Sequence, residues 1–77
     1  MKRTFTGKVV AYERMNNSIN GNPKYRLTYL LKDGSYITGQ TATDASIGYS
    51  CLNNKGTDKT IQYHETRSGK IIFDMEV

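Results

Sequence analysis

Two side chains of this 77-residue sequence are best suited to nucleophilic or metal chemistry, Cys51 and His64, and each is the single residue of its type. A zinc site built from several cysteines and histidines is therefore excluded within one chain. A thiolate–imidazole pair needs the two groups held together, and no flanking motif around Cys51 or His64 provides for that. Cys51 falls on the apolar side of a helix-like run, where a small buried residue is the simpler reading. His64 alternates with Gln62 and Thr66 in a strand-like run, which turns it toward solvent. Asp33, Asp44 and Asp58 sit in turn or cap contexts, and no motif pairs two carboxylates for acid–base work. The string Thr66-Arg67-Ser68-Gly69-Lys70 resembles a phosphate loop only loosely: it lacks the spaced glycines and the following helix, and reads as a hairpin turn. No catalytic residue, metal ligand or cofactor is assigned. The expectation is a non-enzyme.

What remains is charge. The net charge is +4, and the cations are unevenly spread. Arg14, Lys24, Arg26 and Lys32 cluster in the first half, Arg67 and Lys70 flank a later turn, and Asp74 and Glu76 make the tail acidic. A basic patch draws phosphates by counterion release, although a modest positive charge also serves solubility alone. Single-strand binding adds aromatic platforms for the bases. Tyr12 stands opposite the apolar face of its run and could serve. Tyr25, Tyr29 and Tyr36 could serve only if the faces of their hairpin were inverted from the assignment below; otherwise they are core residues with hydroxyls at the rim.

These residues must be positioned by short elements. Residues 4–14 are rich in β-branched and aromatic types, with Phe5, Gly7, Val9 and Ala11 on one face. Gly7 within that run marks a bend or bulge, as a long first strand needs when it curls through two sides of a barrel. Residues 16–23 are almost all turn formers, with Ile19 the one apolar anchor, and form a long loop expected to move and to carry binding. Alternatively, its asparagines close local turns and Pro23 fixes entry to the next strand.

Residues 25–32 and 35–41 flank Asp33-Gly34, which predicts a hairpin with a two-residue type I′ turn. That register sets Leu31 opposite Tyr36, Tyr29 opposite Thr38 and Leu27 opposite Gln40 on the core side. Arg26, Thr28, Leu30, Lys32, Ile37, Gly39 and Thr41 then look outward. Thr43-Asp44 opens a helix whose Ile47 and Cys51, with Ala45, Tyr49 and Leu52, form a face able to cap a barrel end. Gly48 weakens this helix by about 1 kcal/mol relative to alanine. Residues 60–66 and 70–77 are the last strands, with Ile71, Phe73, Met75 and Val77 facing in and Asp74 and Glu76 facing out.

The order β-β-β-α-β-β in one domain spanning 1–77 is that of a small five-stranded OB-like barrel, all-β with one short helix. An SH3-like barrel is the alternative, and would place its helical turn between the last two strands. In an OB-like barrel the ligand track crosses strands two and three between the first and last loops. On this chain that track would be lined by Arg14, Lys24, Arg26, Lys32, Arg67 and Lys70, with Tyr12 beside it.

The segment Tyr12 to Thr28, with Gly21-Asn22-Pro23-Lys24-Tyr25-Arg26 its most distinctive part, and the later Asp33-Gly34 and Thr43-Asp44-Ala45, resembles a group of short bacteriophage and mobile-element proteins. The resemblance covers about two-thirds of the chain, and it carries no catalytic or binding residue with it. It implies a phage-type origin and a bacterial cytoplasmic setting. It also raises a second class of partner, since small phage proteins often act by occupying a host protein. A partly open sheet edge would suit that role through strand addition.

A single cysteine is consistent with a reducing compartment. The start, Met1 to Phe5, has no apolar stretch behind its charges, so no secretory signal is expected. No run approaches the roughly 18 apolar residues of a membrane span. The expected partners are thus single-stranded nucleic acid or a host protein, without a membrane and without a small-molecule cofactor.

Overall fold

The computed structural model describes residues 3–17, 20–43, 45–53 and 55–77. Five strands, β1 (Arg3–Arg14), β2 (Tyr25–Leu31), β3 (Tyr36–Thr41), β4 (Lys59–Glu65) and β5 (Ile71–Glu76), close into a barrel in the order β1-β2-β3-β5-β4. A single helical turn, α1 (Ile47–Ser50), lies between β3 and β4. That is the position an OB-like barrel requires and an SH3-like one does not. All pairs are antiparallel except β3 with β5, which run parallel and join through only Gln40↔Ile72 and Thr41↔Phe73.

β1 is shared by two neighbours because its residues let it bend. Gly7 pairs with Leu31 of β2 and also with Lys59 of β4. A Cβ at Gly7 would stand 2.7 Å from the Leu30 carbonyl oxygen, so the crossing needs glycine there. Three residues on, Val10 is an extra residue between the pairs Val9↔Tyr29 and Ala11↔Thr28. Such a bulge reverses the alternation beyond it. Ala11 is therefore exposed, not a continuation of the Phe5–Val9 face, and Tyr12 pairs with Leu27 on the inward side, emerging past the barrel end 52% exposed.

The core gathers Phe5, Val9, Leu27, Tyr29, Ile47, Cys51, Ile61 and Phe73. Phe5, Tyr29 and Phe73 meet edge to face, with centroids 5.0 Å (Phe5–Tyr29), 5.8 Å (Phe5–Phe73) and 5.0 Å (Tyr29–Phe73) apart. Each such ring contributes about 1.5–3 kcal/mol by burial.

The β2–β3 hairpin departs from the expected register by one residue. Leu31 N–H donates to Ser35 O at 2.8 Å and Gly34 N–H donates to Leu31 O at 3.0 Å, closing a three-residue loop over 32–34 with Gly34 at φ 90°. The Asp33 carboxylate fixes it, accepting from Ser35 Oγ at 2.6 Å and Ser35 N–H at 2.9 Å, which holds that carboxyl below its usual range. The odd loop length makes the pairs Leu30↔Tyr36, Tyr29↔Ile37, Thr28↔Thr38, Leu27↔Gly39 and Arg26↔Gln40. The core side of β2 is as expected, but β3 is inverted: Ile37, Gly39 and Thr41 face inward, and Tyr36, Thr38 and Gln40 face out.

β5 is inverted at its end for a related reason. Asp74 is an extra residue between Tyr63↔Phe73 and Gln62↔Met75. Phe73 stays buried, but Met75 and Val77 are 45% and 71% exposed, contrary to expectation. Glu76 instead turns to the half-buried Lys59, whose Nζ lies 3.2 Å from Glu76 Oε1 and donates to the Ser50 carbonyl at 3.3 Å.

The helix is shorter than the expected 43–52 run. Thr43 precedes it in a turn, Asp44 lies outside the described residues, and Ser46 at the N-cap makes no side-chain capping bond. Ile47 and Cys51 are buried and Ala45 and Leu52 pack against the core, as the spacing implied, whereas Tyr49 is exposed. Tyr49 Oη donates to Asn22 Oδ1 at 2.6 Å, which ties the long β1–β2 loop to the helix. Ser18 and Ile19 of that loop lie outside the described residues.

Candidate binding face

The outer surface of β1, β2 and β3 is a ladder of side chains set by the two register facts above. One rung is Lys8, Leu30 and Tyr36; the next is Ala11, Thr28 and Thr38; the third is Glu13, Arg26 and Gln40. Tyr36 is 66% exposed, the most accessible aromatic ring of this face. Thr28 and Thr38 join their hydroxyls at 3.0 Å. Arg26 and Glu13 form a loose ion pair at 3.6 Å, both more than half exposed.

A groove of about 240 Å³ borders this ladder, lined by Arg26, Thr38 and Gln40 on one side and Gly69, Lys70 and Ile71 on the other. It forms because the β4–β5 turn closes on itself. Thr66 N–H donates to Lys70 O at 2.8 Å, and Lys70 N–H donates to Thr66 Oγ1 at 3.1 Å, so the turn satisfies these groups within itself and stands beside β3. Of the expected track, Arg26 and Lys70 thus meet at one groove, with the exposed Arg67 on the adjoining turn.

The remaining expected residues divide into two further places. Arg14 packs over the Tyr25 ring, 5.2 Å from its centroid, and hydrogen-bonds Asn17. Tyr12 meets Tyr25 edge-on at 6.5 Å, and Lys55 covers the Tyr12 ring at 4.6 Å. This aromatic–cation group lies at the mouth of the β1–β2 loop, where Met15 N–H donates to the carbonyl of the adjacent Lys24 at 2.9 Å. Lys32 stands in the β2–β3 turn, at the other end of β2, roughly 20 Å of strand away.

The chemistry-bearing residues are accounted for otherwise. Cys51 is buried against the core, and burial pushes its thiol up. His64 is not simply turned to solvent: its Nδ1 lies 2.8 Å from Asp74 Oδ2 and 3.0 Å from Oδ1, across the β5 bulge. Among the described residues, no group of three or more His, Cys, Asp or Glu side chains could hold a metal ion. No helix of the described residues is long and apolar enough to cross a membrane.

Lys8 and Lys55 belong to these surfaces and were missed in the sequence, whereas Tyr36, a candidate only if its hairpin faces were inverted, is turned outward by the inversion of β3. For Tyr36 the signal existed, since Asp-Gly closes a three-residue loop as readily as a two-residue one if only the glycine needs positive φ. Comparison with protein-family models, curated proteins and solved structures finds no match to this chain.

Proposed function

We propose that this protein is a non-enzymatic module that binds single-stranded nucleic acid across the outer face of β1, β2 and β3, as proteins of the OB-fold do. The observation that carries the reading is the inversion of β3. It sets the exposed ring of Tyr36 on the same open face as Arg26, one strand from Lys8, and beside the groove bordered by Lys70. A ring stacked on a base contributes about 1–3 kcal/mol irrespective of sequence, and the cations supply a salt-dependent hold on the phosphates. The hydroxyls of Thr28 and Thr38 and the Gln40 amide offer polar contacts between them. The bacterial cytoplasm, and a phage or mobile element as the source, are the setting this reading adopts from the resemblance of residues 12–28.

The test is fluorescence anisotropy of a labelled oligothymidylate titrated with the protein across a range of salt. Affinity should fall with salt, at a slope of about −0.7 per phosphate engaged. Charge reversal of Lys8 and Arg26 together should weaken binding to all sequences alike. Absence of binding at low salt and micromolar protein ends the reading.

A further inference from the structure

The barrel closes unevenly, and the uneven part is a strand edge. β5 meets β3 only at Gln40 and Thr41, continued by Ala42 N–H donating to Phe73 O at 2.9 Å. From Tyr36 to Gly39, β3 pairs with β2 alone. In an antiparallel ladder, successive residues point their N–H and C=O groups to opposite sides. Ser35 O accepts from Leu31 N–H, so 35, 37 and 39 face β2, whereas Ala42 bonds toward β5 and shares its parity with 36, 38 and 40. The N–H and C=O groups of Tyr36 and Thr38 therefore point away from β2, and those of Thr38 open into the groove beside Lys70. The neighbouring turn spends its own Thr66 and Lys70 groups internally.

We infer that this seam takes an extended, acidic peptide segment as an added strand along β3. This goes beyond the nucleic-acid reading and names a second kind of partner. Alternating N–H and C=O groups are matched by a peptide backbone at its own spacing of about 3.3 Å per residue, which a sugar–phosphate chain cannot reproduce. The seam is short, the three residues Tyr36, Ile37 and Thr38, so side-chain contacts must add to the backbone bonds. Arg26 and Lys70 at its walls and Arg67 on the turn favour glutamate or aspartate on the incoming strand. Ile71 closes the seam at its far end, where a Cβ on Gly39 would stand 2.5 Å from the Ile71 carbonyl oxygen and 2.8 Å from its Cγ2.

The experiment titrates isotope-labelled protein with a short capped peptide of alternating glutamate and valine, following amide shifts and hydrogen exchange by NMR. At about nine-tenths saturation, exchange at the Tyr36 and Thr38 amides should slow roughly tenfold, since only the free fraction exchanges. The same peptide N-methylated at every residue should give no protection. Lys70→Glu should weaken the parent peptide about three- to fivefold, the effect of an exposed charge pair. Thr38→Pro removes a backbone donor that faces the seam and not β2, together with the exposed hydroxyl contact to Thr28, so the barrel should stay folded with its melting temperature lowered by only a few degrees while losing the peptide. If that variant unfolds, the N-methylated peptide decides alone. Lack of binding at millimolar peptide, or binding without protection at Tyr36 and Thr38, overturns the inference. Protection of both amides by oligothymidylate but not by peptide also overturns it, and gives the seam to nucleic acid.

Discussion

Gly48 of the helix lies directly against Pro23 of the β1–β2 loop: a Cβ built on the glycine would stand 2.2 Å from the Pro23 carbonyl oxygen. The neighbouring Tyr49 reaches Asn22 through its hydroxyl. The helix thus has two jobs. Its Ile47 side, with Cys51 just beyond, fills the barrel end, and its Gly48–Tyr49 side seats the exit of the longest loop, so that Tyr25 enters β2 at a fixed angle. Tyr25 N–H donating to Thr41 Oγ1 at 3.1 Å completes that junction.

Gly48→Ala should therefore destabilise the protein. Helix propensity alone predicts a gain of about 1 kcal/mol. The contact with a backbone oxygen predicts the opposite sign, with a cost of about 1–3 kcal/mol for a forced shift. Denaturant unfolding of the variant decides between them, and a higher midpoint would show that loop and helix separate at little cost.

The architecture was legible in the residues because each element carries its own punctuation. The turn formers of 16–23, Asp33-Gly34 and Arg67-Ser68-Gly69 each end a strand within about a residue of where it stops. The faces were less legible, and for one physical reason. Strand alternation has period two, so any single extra residue exchanges inside for outside. Val10 and Asp74 are such residues within strands, and Lys32–Gly34 is a three-residue loop in place of two. None changes the hydrophobic count of its segment, so pattern alone carries no mark of them. The site suffered most, because Arg26 and Lys70 could be found as charges while Tyr36 depended on the register.

The inversion of β3 makes a paired prediction. Tyr36→Ala should change stability by no more than about 0.5 kcal/mol, as for an exposed surface residue. Ile37→Ala, half-buried and packed against the core, should cost about 1–2 kcal/mol, below the range of a fully buried isoleucine. Anisotropy should then report weaker oligothymidylate binding for Tyr36→Ala and unchanged binding for folded Ile37→Ala. The reverse pattern of stabilities would restore the two-residue turn.

Tyr29 gives a prediction about the core. Its ring is fully buried, and its hydroxyl has no hydrogen-bond partner among the described residues. An unsatisfied buried hydroxyl costs about 1–3 kcal/mol, so Tyr29→Phe should raise stability by about 1 kcal/mol. Burial pushes both the Tyr29 hydroxyl and the Cys51 thiol up, so each stays protonated in the folded protein where the unfolded chain would ionise. With more protons on the folded state, stability must fall as pH rises above the ordinary thiol value of about 8.5. Unfolding free energies measured across the alkaline range should show that fall, and Cys51→Ala should flatten its first part. A flat alkaline profile for the unaltered protein would contradict the burial of both groups.

Glu13 is the one acid on the third rung of the binding face, and it sits 3.6 Å from Arg26. Both side chains are more than half exposed, so the pair is worth little to folding. Its consequence falls on binding. A phosphate that engages Arg26 must displace or endure the Glu13 carboxylate, whose like charge repels it. Glu13→Gln keeps the side-chain shape and removes that repulsion. The melting temperature should stay within a degree or so, as expected for a surface pair worth well under about 1 kcal/mol. Affinity for oligothymidylate at low salt should rise about two- to fourfold, the size of one exposed charge interaction, and the gain should shrink as salt screens it. Equal gains at low and high salt would mean that Glu13 acts through shape, and no gain would move the phosphate track away from Arg26.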